Sequence, residues 1–407
     1  MAAADMSSKR IVESCIRSRI ARLEEAPLSP QADLPFIVAD STNVLLQHHR
    51  WRRLLPQIRP FYAVKCNPDV RLLQLLADLG LGFDCASAGE IQTVLDLGVE
   101  PSRIVFSHPC KSVSGLHMAS RRGVLLATFD NADELDKIKD TSPEMHLLLR
   151  IYAKDDTAKV CLGKKFGAPL DTTESLLLRA RELGLDVVGV NFHIGSAASD
   201  PRAFTTSVRH AREVFDQGKS MGFDMTILDV GGGFQDANFE AMALSLRRAT
   251  QQAFSEDVHI IAEPGRFYAR SFYTMACKVI ARRQHFGSDA ASRVDMLYQN
   301  DGIYGCFMNK VTEREEFNPT LVSEGGNNGS TNGSGEKYCY SIWGPTCDSL
   351  DCVVDKATMD REVRVGDWLK YPNMGAYTIA SSTTFNGFPN TYDVIYVSSR
   401  LLADRED

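Results

Sequence analysis

Short apolar runs alternate with longer amphipathic stretches over most of the chain. The runs are rich in β-branched residues, as expected for buried strands of a parallel sheet. Eight runs predict strands at Phe61–Lys65, Leu81–Cys85, Arg103–Ser107, Val124–Phe129, His146–Ile151, Val187–Ile194, Thr226–Val230 and Val258–Glu263. Apolar residues at helical spacing predict intervening helices that include Val70–Leu79, Ala88–Leu97, Thr173–Leu183, Pro201–Met221 and Phe239–Phe254. Eight strand and helix repeats within about 200 residues predict an α/β fold, a closed parallel (β/α)₈ TIM barrel.

After Arg266 the regular alternation stops. Strand-like runs without regular helices between them predict a second, mostly β domain, at Ser271–Ile280, Val294–Gln299, Lys337–Trp343, Asp367–Tyr371 and Ala376–Ser381. We therefore expect the barrel to span residues 35–270 and the β domain residues 271–407. Residues 1–34 contain one amphipathic helix, Ile11–Leu23, which we expect to pack on the β domain. The stretch SEGGNNGSTNGSGE at 323–336 has no apolar residues and predicts a flexible loop.

Composition narrows the class of function. The 407 residues are 44% hydrophobic and 24% charged, which is typical of a globular protein with a large core. The net charge of −7 and the lack of a dense Lys/Arg stripe argue against nucleic acid and favour a small-molecule partner. No stretch is long and apolar enough to span a membrane. The sequence MAAADMSSKR lacks an apolar signal-peptide core, so we expect a cytoplasmic location, with a plastid or mitochondrial leader left open.

The ten cysteines are scattered, with no Cys-x-x-Cys pair and no Cys/His cluster at metal-ligand spacing. In a chain of this size we expect them to be reduced thiols. We therefore predict no metal site.

Polar residues gather at the carboxyl ends of the predicted barrel strands. In TIM barrels these ends form the catalytic mouth. Six of the eight strand ends carry such residues, namely Lys65, Asp84, Arg150, His193, the run Gly231-Gly232-Gly233, and Glu263 with Gly265 and Arg266. We expect these groups to converge on one site.

The glycine run after the seventh predicted strand fits a phosphate site. Loops after strands seven and eight of such barrels commonly bind phosphate, because backbone without side chains lets N–H groups approach the anion. Three glycines in a tight turn are the alternative interpretation. A phosphate site together with Lys65 favours pyridoxal 5'-phosphate, whose aldehyde forms a Schiff base with a lysine amine.

Three more residues fit that interpretation. Glu263 is placed to keep the pyridine nitrogen protonated, His193 to stack on the ring and Ser196 to bond the phosphate. The alternatives are an ordinary core histidine for His193 and, for Lys65, a lysine whose amine reaches solvent at a strand end.

Eight motifs occur between Pro35 and Gly387 in the order YAVKCNP, GFDCAS, FHIGS, DVGGGF, AEPGRF, NDGIYG, GPTCDSLD and NMGAYT. As a set they resemble the eukaryotic ornithine decarboxylases, including those of plants, which are fold-type III pyridoxal-phosphate enzymes. The resemblance implies a barrel plus a β domain and decarboxylation of L-ornithine to putrescine for polyamine synthesis. It also implies a head-to-tail homodimer whose active sites are each built from both subunits.

The same resemblance implies roles for the barrel residues. Lys65 forms the Schiff base, Glu263 contacts the pyridine nitrogen and His193 stacks on the ring. Asp84 and Arg150 line the cofactor pocket. The residues that hold the phosphate are Ser196, Gly231, Gly232, Gly233, Arg266 and Tyr377.

For the substrate, the resemblance implies that the partner subunit's Cys347 protonates the carbanion left when carbon dioxide departs. The partner subunit's Asp348 joins Asp301 at the distal ammonium, and Tyr304 of NDGIYG belongs to the same substrate site. Independently, two carboxylates in one closed pocket are stable only with a cation between them, which fits a basic amino acid. A turn cap or surface acid is the alternative for each aspartate, and a buried thiol is the alternative for Cys347.

Lys165 and Asp351 resemble the ion pair that joins the two subunits in this family. Two departures from the family pattern concern the cofactor and the substrate. Ala197 stands where the family usually has a second glycine, and Thr312, Glu313 and Arg314 replace a Tyr-Asp-His sequence near the substrate pocket. The alternative functions are therefore a lysine/ornithine decarboxylase that also makes cadaverine and a catalytically inactive regulatory homologue.

Overall fold

The computed structural model describes residues 2–153, 163, 165–284, 294–322 and 337–398. The flexible loop predicted at 323–336 lies outside the described residues. The chain divides into two compact units. The barrel unit is Gln47–Tyr268, and the β unit contains the described residues of Met1–Leu46 and Ala269–Asp407.

Eight parallel strands close the barrel in chain order, which confirms the predicted TIM barrel. They are β2 (Ile58–Ala63), β3 (Gly82–Cys85), β4 (Ile104–Phe106), β5 (Leu126–Phe129), β6 (His146–Ile151), β7 (Asp186–Phe192), β8 (Ile227–Asp229) and β9 (His259–Ala262). The helices are α2 (Ser41–Leu54) before the barrel and then α3 (Val70–Asp78), α4 (Ala88–Asp96), α5 (Val113–Arg121), α6 (Ala132–Thr141), α7 (Thr173–Glu182), α8 (Arg202–Ser220), α9 (Phe239–Ala253) and α10 (Arg266–Ala269).

Two layers of side chains occupy the barrel strands. A lower layer is apolar and is built around Phe61, Val105, Leu148 and Ile261. Nearer the carboxyl ends, polar residues stand in register on neighbouring strands: Arg150 of β6 pairs with Asn191 of β7, which pairs with Asp229 of β8. The apolar layer supplies burial energy, whereas the polar layer lies directly beneath the predicted catalytic mouth.

Capping side chains set where four barrel helices begin. In each case a side-chain oxygen accepts a hydrogen bond from the backbone N–H three residues further on, and the caps are Asp69, Ser87, Ser112 and Asn131. Because each cap ends a loop that follows a barrel strand, capping fixes the length of that loop at the mouth.

The β unit is built on a mixed sheet. Its strands are β1 (Phe36–Asp40), β10 (Tyr273–Arg283), β11 (Asp295–Gln299), β12 (Thr320–Leu321), β13 (Tyr338–Trp343), β14 (Cys352–Met359), β15 (Trp368–Tyr371) and β16 (Asp393–Val397), with helices α1 (Ala2–Glu24) and α11 (Asn309–Glu313). Val12, Ile16 and Leu23 of α1 pack with Phe36 and Trp368. The N-terminal helix therefore shares the apolar core of this unit.

Two features differ from the sequence expectations. Residues 35–46 were expected in the barrel, but β1 pairs with β10 and β16, so its backbone hydrogen bonds tie it to the β unit. The strand predicted at Ala376–Ser381 is wrong, because Tyr377 has a φ of 55° and Ile379–Ser381 forms a 3₁₀ turn.

In the described part of the chain, no helix is both long and apolar enough to cross a membrane.

Candidate active site

Lys65 lies at the mouth of the barrel. The 3₁₀ turn Val64–Cys66 follows β2 directly, and Lys65 is its middle residue. The ammonium forms an ion pair with Oδ2 of Asp84, and the Lys65 side chain keeps 38% of its surface exposed. The Lys65 ammonium is therefore ion-paired with a buried carboxylate, while part of the Lys65 side chain remains exposed.

Asp84 on β3 is fully buried. Burial raises the pKa of Asp84 to about 7, with Lys65 opposing the shift and Glu263 adding to it. Oδ1 of Asp84 has no hydrogen-bond partner within the described ranges. Asp84 thus depends on Lys65 for its negative charge.

Glu263 follows β9 and is 3% exposed. Its Oε1 accepts a hydrogen bond of 2.5 Å from the Ser107 hydroxyl, which follows β4. Burial alone raises the pKa of Glu263, but Lys65, the Ser107 hydroxyl and Arg150 together hold it below the ordinary value. Glu263 is therefore a buried anion at the strand ends.

His193 follows β7 with its ring held in one tautomer. Its Nδ1 accepts a hydrogen bond of 2.9 Å from the backbone N–H of Gly195, which leaves Nε2 as the protonated nitrogen of a neutral ring. Burial lowers the pKa of His193 to about 3. The ring is therefore neutral over the physiological pH range.

The three glycines after β8 each occupy a position that excludes a side chain. A Cβ on Gly231 would overlap the Phe192 carbonyl oxygen, and one on Gly232 would lie 2.7 Å from His193 Nε2. Gly231 and Gly233 also have φ angles of 62° and 109°, in the left-handed region. The tight turn considered as an alternative is present, and it packs against the loop that carries His193.

Basic and hydroxyl groups border this glycine loop. The Arg266 guanidinium, 5% exposed, donates a hydrogen bond of 3.4 Å to the Ser196 hydroxyl. A Cβ on Gly265 would lie 2.9 Å from the Cβ of Cys66, so the loop after β9 packs closely against the turn that bears Lys65. Ala197, the departure from the family pattern, has a φ of 53°, which is strained for a residue with a Cβ.

Arg150 belongs to the polar layer on β6, next to the strand that His193 follows. It is 7% exposed, and its guanidinium lies 5.4 Å from the centre of the Phe166 ring. A buried guanidinium keeps its charge, so it adds a fixed positive potential beside His193 and Glu263.

Within the β unit, Asp301 is a buried acid, 6% exposed. Its carboxylate accepts hydrogen bonds from the backbone N–H groups of Gly302 (2.9 Å) and Cys306 (3.1 Å). Burial raises the pKa of Asp301 to about 7, although these two N–H groups oppose the shift. Asp301 and Tyr304 line a cavity of about 700 Å³ in this unit.

Asp348 and Cys347 lie on a loop between β13 and β14. Asp348 accepts a hydrogen bond from the Tyr304 hydroxyl, and the Tyr304 ring stacks on Phe385 with 4.3 Å between ring centres. The Cys347 thiol is exposed, and its backbone N–H donates to Asn386. Cys347 is therefore an accessible thiol, not a buried one.

Asp351 joins two loops of the β unit. It is 1% exposed and accepts hydrogen bonds from the Ile303 N–H (2.7 Å), the Thr346 N–H (3.0 Å) and the Thr346 hydroxyl (2.7 Å). Lys165 is exposed in the barrel unit, with its amine 4.9 Å from the centre of the Phe166 ring. The ion pair between Lys165 and Asp351 stays a prediction.

The structure brings together Lys65, Asp84 and Glu263, and it places His193, Arg150, Ser196, Arg266 and the glycines on the same strand ends. Tyr377, Asp301, Tyr304, Cys347 and Asp348 lie in the β unit. In the described ranges, no group of three or more His, Cys, Asp or Glu side chains is arranged to hold a metal ion.

Sequence reasoning missed two polar residues of the barrel mouth. Ser107 was the last residue of a predicted strand, and Asp229 was the one charged residue inside another. Asp229 is fully buried beside Glu263 and accepts a hydrogen bond from the Gly231 N–H at 2.9 Å. A carboxylate inside an apolar strand run was the available signal.

Three comparisons relate the chain to known proteins. The family model described as pyridoxal-dependent decarboxylase, pyridoxal binding domain, matches residues 41–270. An ornithine decarboxylase of Neurospora crassa is 45% identical, with 96% of this chain and 86% of that protein aligned. One of Schizosaccharomyces pombe is 42% identical over 97% of this chain and 91% of that protein. The crystal structure of the Paramecium bursaria Chlorella virus arginine decarboxylase bound to agmatine has a TM-score of 0.87 at 35% identity, covering 95% of this chain and 100% of that one.

Proposed function

We propose, because the chain belongs to the family of pyridoxal-dependent decarboxylases, that it converts L-ornithine to putrescine and carbon dioxide. One observation carries the choice of substrate. Relatives named ornithine decarboxylase are 42–45% identical over 96–97% of the chain. The reaction makes the chain a carboxy-lyase of polyamine biosynthesis.

The cofactor is pyridoxal 5'-phosphate, and the barrel mouth fits it. A phosphate is best bound by backbone N–H groups without side chains around them, and Gly231, Gly232 and Gly233 are three consecutive positions at which a Cβ would clash with neighbouring residues. The cofactor aldehyde needs an accessible amine. The Lys65 ammonium is ion-paired with Asp84, and 38% of the Lys65 side-chain surface is exposed. When bound, the cofactor supplies an electron-accepting ring that stabilises the charge left by departing carbon dioxide.

The other contacts to the cofactor are assigned to side chains of the barrel. Lys65 holds the cofactor through its amine, and the glycine loop, Ser196 and Arg266 hold the phosphate. Glu263, an anion despite its burial, keeps a proton on the pyridine nitrogen. His193 stacks as a neutral ring, because its Nδ1 is committed to the Gly195 N–H.

The β unit supplies the groups that recognise a basic amino acid. Asp301 and Asp348 bind the distal ammonium, and Tyr304 orients Asp348 through its hydroxyl. Cys347 delivers a proton to the carbon that has lost carbon dioxide, a role for which its exposed thiol is suited. The accessible thiol and the buried acid lie outside the unit that carries Lys65.

We propose further that the active site is shared across a homodimer, with the partner subunit's Cys347 and the partner subunit's Asp348 joining Lys65 and Asp301, as the family resemblance implies. Lys65→Ala and Cys347→Ala variants, each inactive alone, then regain activity when their subunits are exchanged, because one of the two sites in a mixed dimer carries both wild-type residues. Subunit exchange demonstrated by mass spectrometry without recovery of activity would contradict a shared site.

A substrate panel tests the function directly. Purified protein loaded with pyridoxal phosphate is assayed for carbon dioxide release from ornithine, lysine, arginine and diaminopimelate, with Lys65→Ala as the inactive control. We expect the highest kcat/KM for ornithine. Preference for lysine would replace the proposal with a lysine/ornithine decarboxylase, and cofactor binding without turnover of any substrate would support an inactive homologue.

A further inference from the structure

Asp229 is a second buried carboxyl group beside Glu263. It ends β8, is fully buried, and its Oδ1 accepts the Gly231 N–H at 2.9 Å. Its carboxyl group lies within hydrogen-bond reach of the Glu263 carboxyl group. Of the groups that the structure describes, none donates a hydrogen bond to Oδ2 of Asp229.

Two carboxyl groups in contact form a hydrogen bond only when one of them carries a proton, because ionised carboxylates are acceptors alone. Glu263 is the member of the pair that stays ionised. It accepts the Ser107 hydroxyl and is favoured as an anion by the positive charges of Lys65 and Arg150.

Asp229 has the opposite surroundings. The charged groups that act on it most are Glu263 and Asp84, both acids, and among the described residues the one hydrogen-bond donor to it is the backbone N–H of Gly231. Its register neighbour Asn191 is fully buried, and the Asn191 amide has no hydrogen-bond partner among the described residues. Burial and the Glu263 charge raise the pKa of Asp229 well above its ordinary value.

We propose that Asp229 is protonated at neutral pH and donates its proton in a hydrogen bond to the Glu263 carboxylate. Asp229 is then a positioning residue that holds Glu263 from one side while Ser107 holds it from another. Because Oδ1 of Asp229 also accepts the Gly231 N–H, the same carboxyl group links the pyridine-binding acid to the first glycine of the phosphate loop. This assignment rests on the proposed function for its meaning, since Glu263 and the glycine loop are the proposed cofactor ligands.

The protonation state is tested by infrared difference spectroscopy of the holoenzyme in mildly alkaline buffer, where Asp84 and Asp301, with pKa values of about 7, are ionised. Subtracting the spectrum of Asp229→Asn from that of the wild type should leave the carbonyl stretch of a protonated carboxyl group. Asp295→Asn is the matched control, because Asp295 is also buried but is ion-paired with Arg282 at 2.7 Å. That control should remove an ionised carboxylate band, and the same result for Asp229 would overturn the proposal.

Cofactor affinity tests the positioning role. The Asn side chain keeps an acceptor for the Gly231 N–H and a donor for Glu263, whereas Leu has a similar size and neither group. We expect Asp229→Leu to weaken pyridoxal phosphate binding by at least about fivefold, as for loss of a buried hydrogen-bond partner, and Asp229→Asn to recover most of that loss. Equal weakening by both variants would mean that the ionised acid is required.

Two further points keep the tests decisive. Circular dichroism shows whether each variant folds. If one does not, the test uses wild-type holoenzyme labelled with ¹³C at the aspartate carboxyl groups, in the same buffer. The labelled protein must show the band of a protonated aspartate, and the absence of that band overturns the proposal. Neither the infrared band nor the cofactor titration depends on turnover of ornithine. A failed substrate panel therefore leaves the Asp229 assignment standing, and a missing band leaves the proposed activity standing.

Discussion

Asp301→Asn tests the substrate site of the β unit, because it removes a charge while keeping the shape of the side chain. Asp301 is 6% exposed, and burial raises its pKa to about 7. A cationic substrate is attracted only by the ionised form. The proposed function therefore predicts that recognition of ornithine weakens as Asp301 takes up a proton.

The magnitude follows from the charge and the pKa. A hydrogen bond to a charged group contributes about 1.5–3 kcal/mol, so above its pKa Asp301 should raise kcat/KM for ornithine by about 10- to 150-fold over the Asn variant. The pKa of Asp301 is raised in the free protein, so the ionised fraction falls as the pH drops through about 7. The advantage of the wild type should then fall by about tenfold for each pH unit below the pKa.

The assay is the ratio of wild-type to variant kcat/KM for ornithine, measured across neutral pH. Groups common to both proteins, such as Asp84 with its pKa of about 7, cancel in this ratio. Cofactor absorbance should be unchanged, because the residues proposed to bind the ring lie in the barrel unit. A ratio that does not vary with pH, or a variant that uses ornithine as well as the wild type, would refute the argument.

Two further predictions concern the glycine-rich loops of the barrel unit. Gly231→Ala should weaken pyridoxal phosphate binding by more than about tenfold in a spectroscopic titration, because its Cβ overlaps a backbone carbonyl. Gly184→Ala is its control, since Gly184 has a similar φ of 65° and no described residue lies within 4 Å of the added Cβ. An equal effect at both sites would point to backbone strain alone. Ala197→Gly should raise the free energy of unfolding by about 1 kcal/mol in chemical denaturation by relieving its φ of 53°, and a less stable variant would show that the backbone is not strained there.

The barrel was predictable because each strand and its following helix form a local repeat with a clear change of hydrophobic period. The β unit was harder to predict, because its strand pairs join segments that are far apart in the sequence. The run Phe36–Asp40 carries no sign in its own sequence of pairing with β10 and β16. Strand β14 was missed because Asp355 and Lys356 interrupt its apolar pattern. Ala376–Ser381 has a strand-like composition, but the left-handed backbone at Tyr377 prevents an extended run.

The barrel residues of the candidate site were predictable from their position at strand ends, since topology alone brings those ends together. Ser107 and Asp229 were not predictable, because their importance depends on a contact with a residue of another strand. Ser107 reaches Glu263 from β4, and Asp229 lies beside it from β8. Both contacts join side chains of different strands, so they become visible only in the folded barrel.

Asp351 ties the loop of Asp301 and Tyr304 to the loop of Cys347 and Asp348 through hydrogen bonds to Ile303 and Thr346. In the proposed homodimer these two loops of one chain serve different active sites, so a substitution that moves one loop would also disturb the other site. A change of preferred substrate to a longer or shorter amino acid would therefore require compatible substitutions in both loops. Enzyme engineers should accordingly randomise them jointly and leave Asp351 untouched.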